Sequence, residues 1–481
     1  MVSIFSDDRV KEVLAVLEPL LKQIGTADVL TPAHPNYALH TEAFSTDLEL
    51  HPAVAFAPSS AETLGKILAF LYKSHLKFVV RGRGAQSPSA TDVIISTLNF
   101  DGFEYDAVKK VATIGVGNTW IDVAGRMRDL DPNFSIAVAR TPSVGVGGSI
   151  LHGGLSWLTG EFGLISDPNN LLNAEVVKYD GSVVMASTDP DLMWALRGSG
   201  GGFGVMTKVV LQAHPYPTDI WSGMILVPKE HVEETARKAA TFFAKPQHPK
   251  VCILMYSAKK HLLSTVLEEK DLKLVTGDMM ALHVYDACGE AHGRETFDWA
   301  LTLPNAIDCT VVTDIKGVVD MQQNYDRLRG VLRKFFAIPI AVSTIDAKTI
   351  MRAMEWQDTI AGTDPEIQNR TLLAIQCFVL RPPIGELSEV AWPRPADAKH
   401  YILVITGAPA NGSDEQAEKA RQIAIEAPSR VLGESQVGMI LPTGHEAWHD
   451  SKHTYGEHWE KLAELRKRYD PDLKFQALIK P

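Results

Sequence analysis

Thr141-Pro-Ser-Val-Gly-Val-Gly-Gly-Ser-Ile-Leu-His-Gly-Gly154 packs six Gly or Pro into fourteen residues, and His152 is its one titratable side chain. Such a segment cannot run as an ordinary helix or strand, because glycine admits positive φ and lets the backbone come close to a ligand. Successive N–H groups aimed the same way make a concavity suited to phosphate or an electron-rich ring. The segment reads as a cofactor bed.

Three more glycine clusters share the first half of the chain. Arg81-Gly-Arg-Gly84 follows the apolar run Phe78-Val79-Val80. Gly115-Val-Gly-Asn-Thr-Trp120 follows Val111-Ala-Thr-Ile114, and Arg197-Gly-Ser-Gly-Gly-Gly-Phe-Gly204 follows a helical stretch from Asp191 to Leu196. None of the four satisfies G-x-G-x-x-G, since Ser87, Trp120, Ile150 or Phe203 stands where the last glycine belongs. None contains G-K-[ST]. The chain has the glycine usage of a dinucleotide binder without the Rossmann or P-loop signature.

At 481 residues the chain exceeds the size of one growing core, so two or three lobes are expected. Its 45% hydrophobic and 22% charged residues are ordinary for a globular protein. A net charge of −11 disfavours nucleic acid and anionic membrane as partners, although glycine loops can hold polyphosphate without net positive charge. Neither a signal-type leader nor an apolar run of about 18 residues occurs, so no membrane span and a cytoplasmic location are expected. Cys252, Cys288, Cys309 and Cys377 lack C-x-x-C spacing and read as buried thiols; no metal is expected.

The first 215 residues alternate strand and helix signals. Ser59-Ser-Ala-Glu62 reads as a capping box with Ser59 at the N-cap, ahead of an apolar face of Leu64, Ile67, Leu68 and Leu71. Phe78 to Arg81, Val93 to Ser96 and Val111 to Ile114 read as strands. Trp120, Val123, Ala124, Met127 and Leu130 return to helical spacing, and Asp180-Gly181 turns a hairpin. His214-Pro-Tyr-Pro217 marks a boundary. Beyond it, strand-like runs (223–227, 251–256, 280–285, 372–380, 401–406) alternate with helical stretches (230–244, 318–336, 349–360, 415–432). That is a second α+β lobe, one sheet with helices on a face. Pro382 to Pro395 is a proline-rich connection, and the last 45 residues have too little core of their own to stand apart.

In this order the blocks resemble the FAD-linked oxidases of the vanillyl-alcohol-oxidase/PCMH superfamily, and among them the berberine-bridge-enzyme-like group. Arg81, Gly82, Arg83, Gly84, Ala85, Gln86 and Ser87 stand where that group has its pyrophosphate loop, Arg-Gly-Gly-Gly-His-Ser. Gly115 to Trp120 is similar to its Gly-x-Gly-x-x-Trp turn, and Thr141 to Gly154 to its Cys-Pro-Thr-Val-Gly-Val-Gly-Gly segment. Asp191 to Gly204 is similar to the block closing its FAD domain; Tyr455-Gly456 and Tyr469-Asp-Pro-Asp-Leu-Lys-Phe475 match its C-terminal block. The resemblance covers the first 215 and last 30 residues. It implies an α+β fold in three parts: a two-subdomain PCMH-type FAD-binding domain (1–215), a substrate domain with an antiparallel sheet covered by helices (216–435), and a C-terminal segment (436–481) returning to the FAD domain. It also implies FAD contacts from the 81–87 loop, and from Thr141, Pro142, Val144, Gly145, Gly147, Gly148, Ser149, His152, Gly153 and Gly154. Val176 and Tyr455 complete that set.

Two departures matter. The His and Cys that anchor flavin covalently in some members align with Ala85 and Thr141. Neither can form the bond, so non-covalent FAD is expected, with His152 the one nearby residue able to attach it in another register. The family's Tyr-x-Asn stretch corresponds to Met439-Ile-Leu-Pro-Thr-Gly444, which has neither residue. The implied chemistry is hydride transfer from a small-molecule alcohol or activated C–H, in secondary metabolism, with a positioned base and molecular oxygen as candidate reoxidant. Base candidates are Tyr455, His453 and His445, in a cluster with His449 and His458, and then His283 and Tyr285 on a predicted strand. Three other readings stay open. A redox-neutral isomerase or cyclase would keep the fold, and a flavin carrier would keep only binding. A zinc hydrolase would use His445-Glu-Ala-Trp-His449, an H-E-x-x-H match through His445, Glu446 and His449, with His453 one turn further if a helix carries it.

Overall fold

The computed structural model describes residues 7–85, 89–263, 267, 269–322, 329–361, 363–377, 389–394, 400–433 and 438–481. Gln86, Ser87, residues 378–380 and most of the proline-rich connection lie outside the described residues.

The first half builds two sheets. In the smaller, Val54–Phe56, Val93–Ser96 and Phe78–Arg81 run parallel, and Val29–Leu30 is antiparallel at one edge. The helix Ala61–Lys73 buries Leu64, Ile67, Leu68 and Leu71, the face its spacing predicts. Its N-cap is Ser60, one residue later than expected, with the hydroxyl accepting the Thr63 N–H at 3.2 Å. Glu62 is drawn forward to Lys66 at 2.7 Å, one turn on, in place of reaching back to Ser59. In the larger sheet Phe103–Asp106, Val111–Gly115, Val205–Pro215, Leu171–Val177 and Val183–Met185 follow one another antiparallel, and Phe134–Ile136 pairs with Val205–Pro215. A capping box does start the helix Trp120–Leu130: Thr119 and Asp122 satisfy each other's backbone N–H groups.

The third sheet has eight strands, antiparallel throughout. Their order is Ile307–Thr313, Ile220–Pro228, Met279–Asp286, Val251–Ala258, Leu372–Cys377, His400–Pro409, Leu332–Val342 and Met439–Ile440. Period-two alternation sorts its faces. Ile225, Val227, Ile253 and Val284 enter a core beneath the helices Val232–Phe243, Ala347–Ala361 and Asp414–Leu432. Cys252, Tyr285, Ala341 and Tyr401 point the other way and join the core of the first lobe.

One expectation fails in this lobe, and one strand was not foreseen. Residues 318–336 are not one helix: a short helix, Ile315–Asp320, precedes the strand Leu332–Val342, and 323–328 lie outside the described residues. Phe336, Ile338, Ile340 and Val342 alternate into the helix-covered core, so period two wins once the partner strand is in place. Ile307–Thr313 is an edge strand without clean alternation and gave no signal.

The C-terminal helix Trp459–Tyr469 lies on the first lobe. Tyr72 donates to Asp470 at 2.6 Å, and Tyr469 to Asp189 at 2.7 Å.

Candidate functional site

The four glycine clusters do different work. A Cβ at Gly115 or Gly117 would collide with the carbonyls of Phe100 or Leu98, so that turn exists for close backbone packing. A Cβ at Gly202 would lie 2.5 Å from Ala477 Cβ and Arg466 Nε, and Arg466 donates to the Gly202 carbonyl at 2.7 Å. The 198–204 loop is thus a dock for the C-terminal segment. The other two clusters each hold one open position, while Gly84, Gly147, Gly153 and Gly154 pack closely against neighbours. Among the described residues nothing lies within 4 Å of a Cβ placed at Gly148, and only the Thr97 hydroxyl, at 3.7 Å, approaches one at Gly82. These loops meet where Arg83 Cγ sits 3.1 Å from a Cβ at Gly145. Arg83 Nε is buried with no partner among the described residues. Bare backbone beside an unspent guanidinium donor fits a diphosphate.

Arg81 turns inward instead, donating to the carbonyls of Thr41 and Leu48, and burial depresses its pKa to about 10. Thr141, Pro142 and Val144 accept the N–H groups of Val144, Ile121 and Trp120 at 3.3, 3.1 and 3.2 Å, which shapes the bed. Gly145, Gly147 and Ser149 belong to a short helix start, with the Trp120 indole donating to Ser149 Oγ at 2.7 Å. Nδ1 of His152 is held by the Gly148 carbonyl at 2.7 Å. Gly153 and Gly154 take positive φ, Ala85 ends the described part of its loop, and Val176 lies inside the larger sheet of the first lobe.

Facing the bed, strand register lines up Met224, His283, Leu254, Gln376, Tyr401 and Ala341 on one face across six neighbouring strands. Trp157, just past the bed, lies 4.8 Å from the His283 ring and stacks on Tyr285 at 5.4 Å. Arg140, just before it, holds its guanidinium 5.6 Å from the Tyr401 ring and 5.9 Å from Trp157. The Tyr285 hydroxyl meets that of Tyr216 at 2.5 Å.

His283 and Gln376 are fully buried. Among the described residues neither ring nitrogen of His283 and neither amide atom of Gln376 has a partner. Burial, then the charge of Arg140, pushes His283 down to about 3, so its imidazole is neutral with one donor and one acceptor. Each unsatisfied buried group costs about 1–3 kcal/mol, and two in one row mark a place where another molecule supplies the partners. Gln376 and Arg140 carry no motif. The only signal was Gln376 itself, one polar residue in the apolar run Leu372-Leu-Ala-Ile-Gln-Cys377.

The C-terminal candidates separate. Tyr455 is fully buried, donates to the Gly198 carbonyl at 3.1 Å, and burial drives its pKa well up. His453 is exposed on the helix Ser451–Tyr455. His445 is half-buried, with Nε2 unpartnered among the described residues; burial lowers its pKa and the nearby His152 adds to that. Burial raises the Glu446 carboxyl to about 7 against the pull of Lys334. His449 Nδ1 accepts the Glu446 N–H at 2.9 Å, and burial pushes this ring down to about 4.

The H-E-x-x-H match does not lie on a helix. A turn at Pro442–Gly444 precedes it, residues 445–450 run as loop and turn, and the next helix starts at Ser451. The rings of His445 and His449 stand 5.4 Å apart at 74°, and His453 belongs to the separate helix. The shared imidazole face required for a zinc hydrolase is not formed.

The FAD binding domain family matches residues 52–187. The chain is similar to an uncharacterized FAD-linked oxidoreductase of Arthroderma benhamiae, 31% identical over 202 residues that cover 40% of this chain and 39% of that one. It is also similar to the FAD-dependent monooxygenase prx3 of Penicillium roqueforti, 34% identical over 190 residues, 38% and 36% of the two chains. These matches span less than half the length of either curated relative. Among solved structures, BBE-like 1 of Physcomitrella patens superposes with a TM-score of 0.78 over 96% of this chain and 98% of its own, at 16% identity. At that identity the likeness is one of fold, over 96% of this chain.

Proposed function

We propose that this chain, which carries the FAD-binding domain and the fold of the vanillyl-alcohol-oxidase/PCMH-type flavoproteins, is an FAD-dependent oxidoreductase of small-molecule alcohols or activated C–H groups. Bound FAD supplies a hydride acceptor. Gly82, Arg83, Gly145 and Gly148 would hold its diphosphate, and Ala85 and Thr141 offer no side chain able to tether its ring, so binding is non-covalent. Gln376 and neutral His283 bind the polar group of the substrate, and Trp157 gives a flat apolar wall that excludes water. His445, neutral and unspent at Nε2, takes the substrate proton, with Glu446 poised to exchange it near neutral pH. Molecular oxygen is the reoxidant, and the likeness to fungal FAD-dependent enzymes supports a place in secondary metabolism.

One observation carries this reading: two fully buried polar side chains, His283 and Gln376, have no partners among the described residues on the sheet face toward the flavin-binding lobe. The test is anaerobic mixing of the holoprotein with a panel of primary, allylic and benzylic alcohols. A substrate bleaches the visible flavin band, air restores it, and His445→Gln slows bleaching by about 100-fold with FAD still bound. Product formation without any bleaching would establish a redox-neutral catalyst instead.

A further inference from the structure

Where the strand Met279–Asp286 ends, metal-ligating side chains from three segments converge. Asp286 is fully buried at the strand end, Cys288 is exposed in the turn, and His292 lies half-buried on the helix Glu290–Thr296. One ligand atom from each falls within 4.8 Å of the other two. His248, from the loop leading into Val251–Ala258, stands at the edge of the group, outside its common 4.8 Å spacing: its Nδ1 is 3.5 Å from Cys288 Sγ, and its ring is 5.7 Å from that of His292. His292 Nδ1 is 2.6 Å from Asp286 Oδ2 and 3.3 Å from Thr296 Oγ1. Asp286 Oδ1 accepts the Cys288 N–H at 2.8 Å, and His248 Nδ1 accepts the Lys250 N–H at 3.2 Å.

We propose that Asp286, Cys288, His292 and His248 form a zinc site, separate from the flavin cleft, that staples the 248–250 loop to the sheet. The donor set is one thiolate, two imidazoles and one carboxylate, the mixture that selects zinc over hard cations such as calcium or magnesium. Tetrahedral zinc with Zn–S of about 2.3 Å and Zn–N of about 2.0 Å sets sulfur and nitrogen about 3.5 Å apart, so the Cys288–His248 separation is kept while the ring swings from the Lys250 N–H toward the ion. Asp286 and His292 start closer than that and open by about 0.7 Å as each turns from the other to the ion. Binding releases the thiol proton of Cys288 to solvent, and both imidazoles coordinate as neutral rings. Asp286 already positions Cys288 through the turn N–H, and His248 releases the Lys250 N–H and closes on the ion as the fourth ligand.

The stapled loop bears on the first lobe. A Cβ at Gly160 would collide with the Pro249 carbonyl, and Lys250 Nζ lies 3.8 Å from Glu161. Fixing His248 therefore fixes how the sheet seats on the helix Thr159–Phe162. The spacing, Cys288-x-x-x-His292 with the other two ligands supplied by fold, is invisible to a search for C-x-x-C.

The test is metal analysis and zinc K-edge absorption of the reduced holoprotein after zinc loading and gel filtration. The site predicts one zinc per chain, with one sulfur at about 2.3 Å among nitrogen and oxygen at about 2.0 Å. Cys288→Ser and His292→Gln each weaken zinc binding by more than about tenfold, and their unchanged flavin absorbance shows that they fold. His449→Gln, in the other histidine cluster, leaves zinc in place. Substoichiometric zinc, a shell without sulfur, or zinc that survives Cys288→Ser and departs with His449→Gln would each overturn the proposal.

Discussion

The hydroxyl of Tyr455 donates to the carbonyl of Gly198 at 3.1 Å, joining residues 257 positions apart. Both are buried, and the bond fastens the C-terminal segment to the last glycine loop of the flavin-binding lobe. A hydroxyl spent in this way, on a group that burial keeps protonated, is a clamp rather than a base. Tyr455→Phe is expected to lower stability by about 1 kcal/mol, seen as a reduced Tm, and to leave the rate of flavin reduction unchanged. A large loss of rate at unaltered Tm would restore the tyrosine to the chemistry.

Arg466 anchors the same segment more heavily. Buried, it pairs with Asp470 and donates to the carbonyls of Gly202 and Phe475, each at 2.7 Å. Arg466→Ala strands the Asp470 carboxylate in the core, and a loss of about 3–5 kcal/mol is expected in denaturant unfolding. Loosening of the 198–204 loop follows. A change too small to measure would mean that water reaches Asp470.

Gln376 separates stability from function. Gln376→Leu removes two unpartnered polar atoms from a buried strand, so the protein is expected to gain about 1 kcal/mol or stay level. The substrate KM is expected to rise by about tenfold or more, because its polar group then meets a methyl group. Destabilisation without a kinetic effect would make Gln376 an ordinary core residue.

Glu446 supplies a pH signature. Its folded pKa, about 7, lies above the ordinary 4.5, so between those values the folded chain keeps a proton that the unfolded chain has lost. Its contribution to stability is complete below 4.5 and drains away as pH rises through 7. Glu446→Gln cannot ionise, so its stability relative to the parent is expected to grow from about pH 5 to about pH 8. His449 and His283, depressed to about 4 and about 3, act in the opposite sense: their contribution is present above 6.5 and lost as pH falls through their folded values. They remain in both proteins and cancel in the difference, which urea titrations across that range measure. A flat difference would show that solvent reaches the Glu446 carboxyl.

The flavin-binding lobe was legible because its signals are local. Phe78–Arg81, Val93–Ser96 and Trp120–Leu130 fall where strand runs and helical spacing place them. The FAD assignment came from resemblance and glycine usage, and the matched family supports it. The glycine loops looked alike in sequence, yet Gly202 meets Arg466 and Gly148 meets open space, a distinction made by residues more than 250 positions away. The roof was harder to see. Gln376 gains meaning only when pairing sets it between Leu254 and Tyr401, and His283 only when Trp157 arrives from the other lobe. The H-E-x-x-H letters were present without the helix that gives them geometry, since Pro442 and Gly444 hold that stretch against Leu332–Val342.

Acid precipitation of the purified yellow protein, followed by absorbance of supernatant and pellet, puts the central claim to the sharpest test. One FAD per chain, all of it in the supernatant, is the result that a bed built from Gly82, Arg83, Gly145 and Gly148 without a tether requires. Protein that is isolated colourless and gains no visible flavin band on soaking with FAD would contradict that bed, and colour left on the pellet would contradict the missing tether.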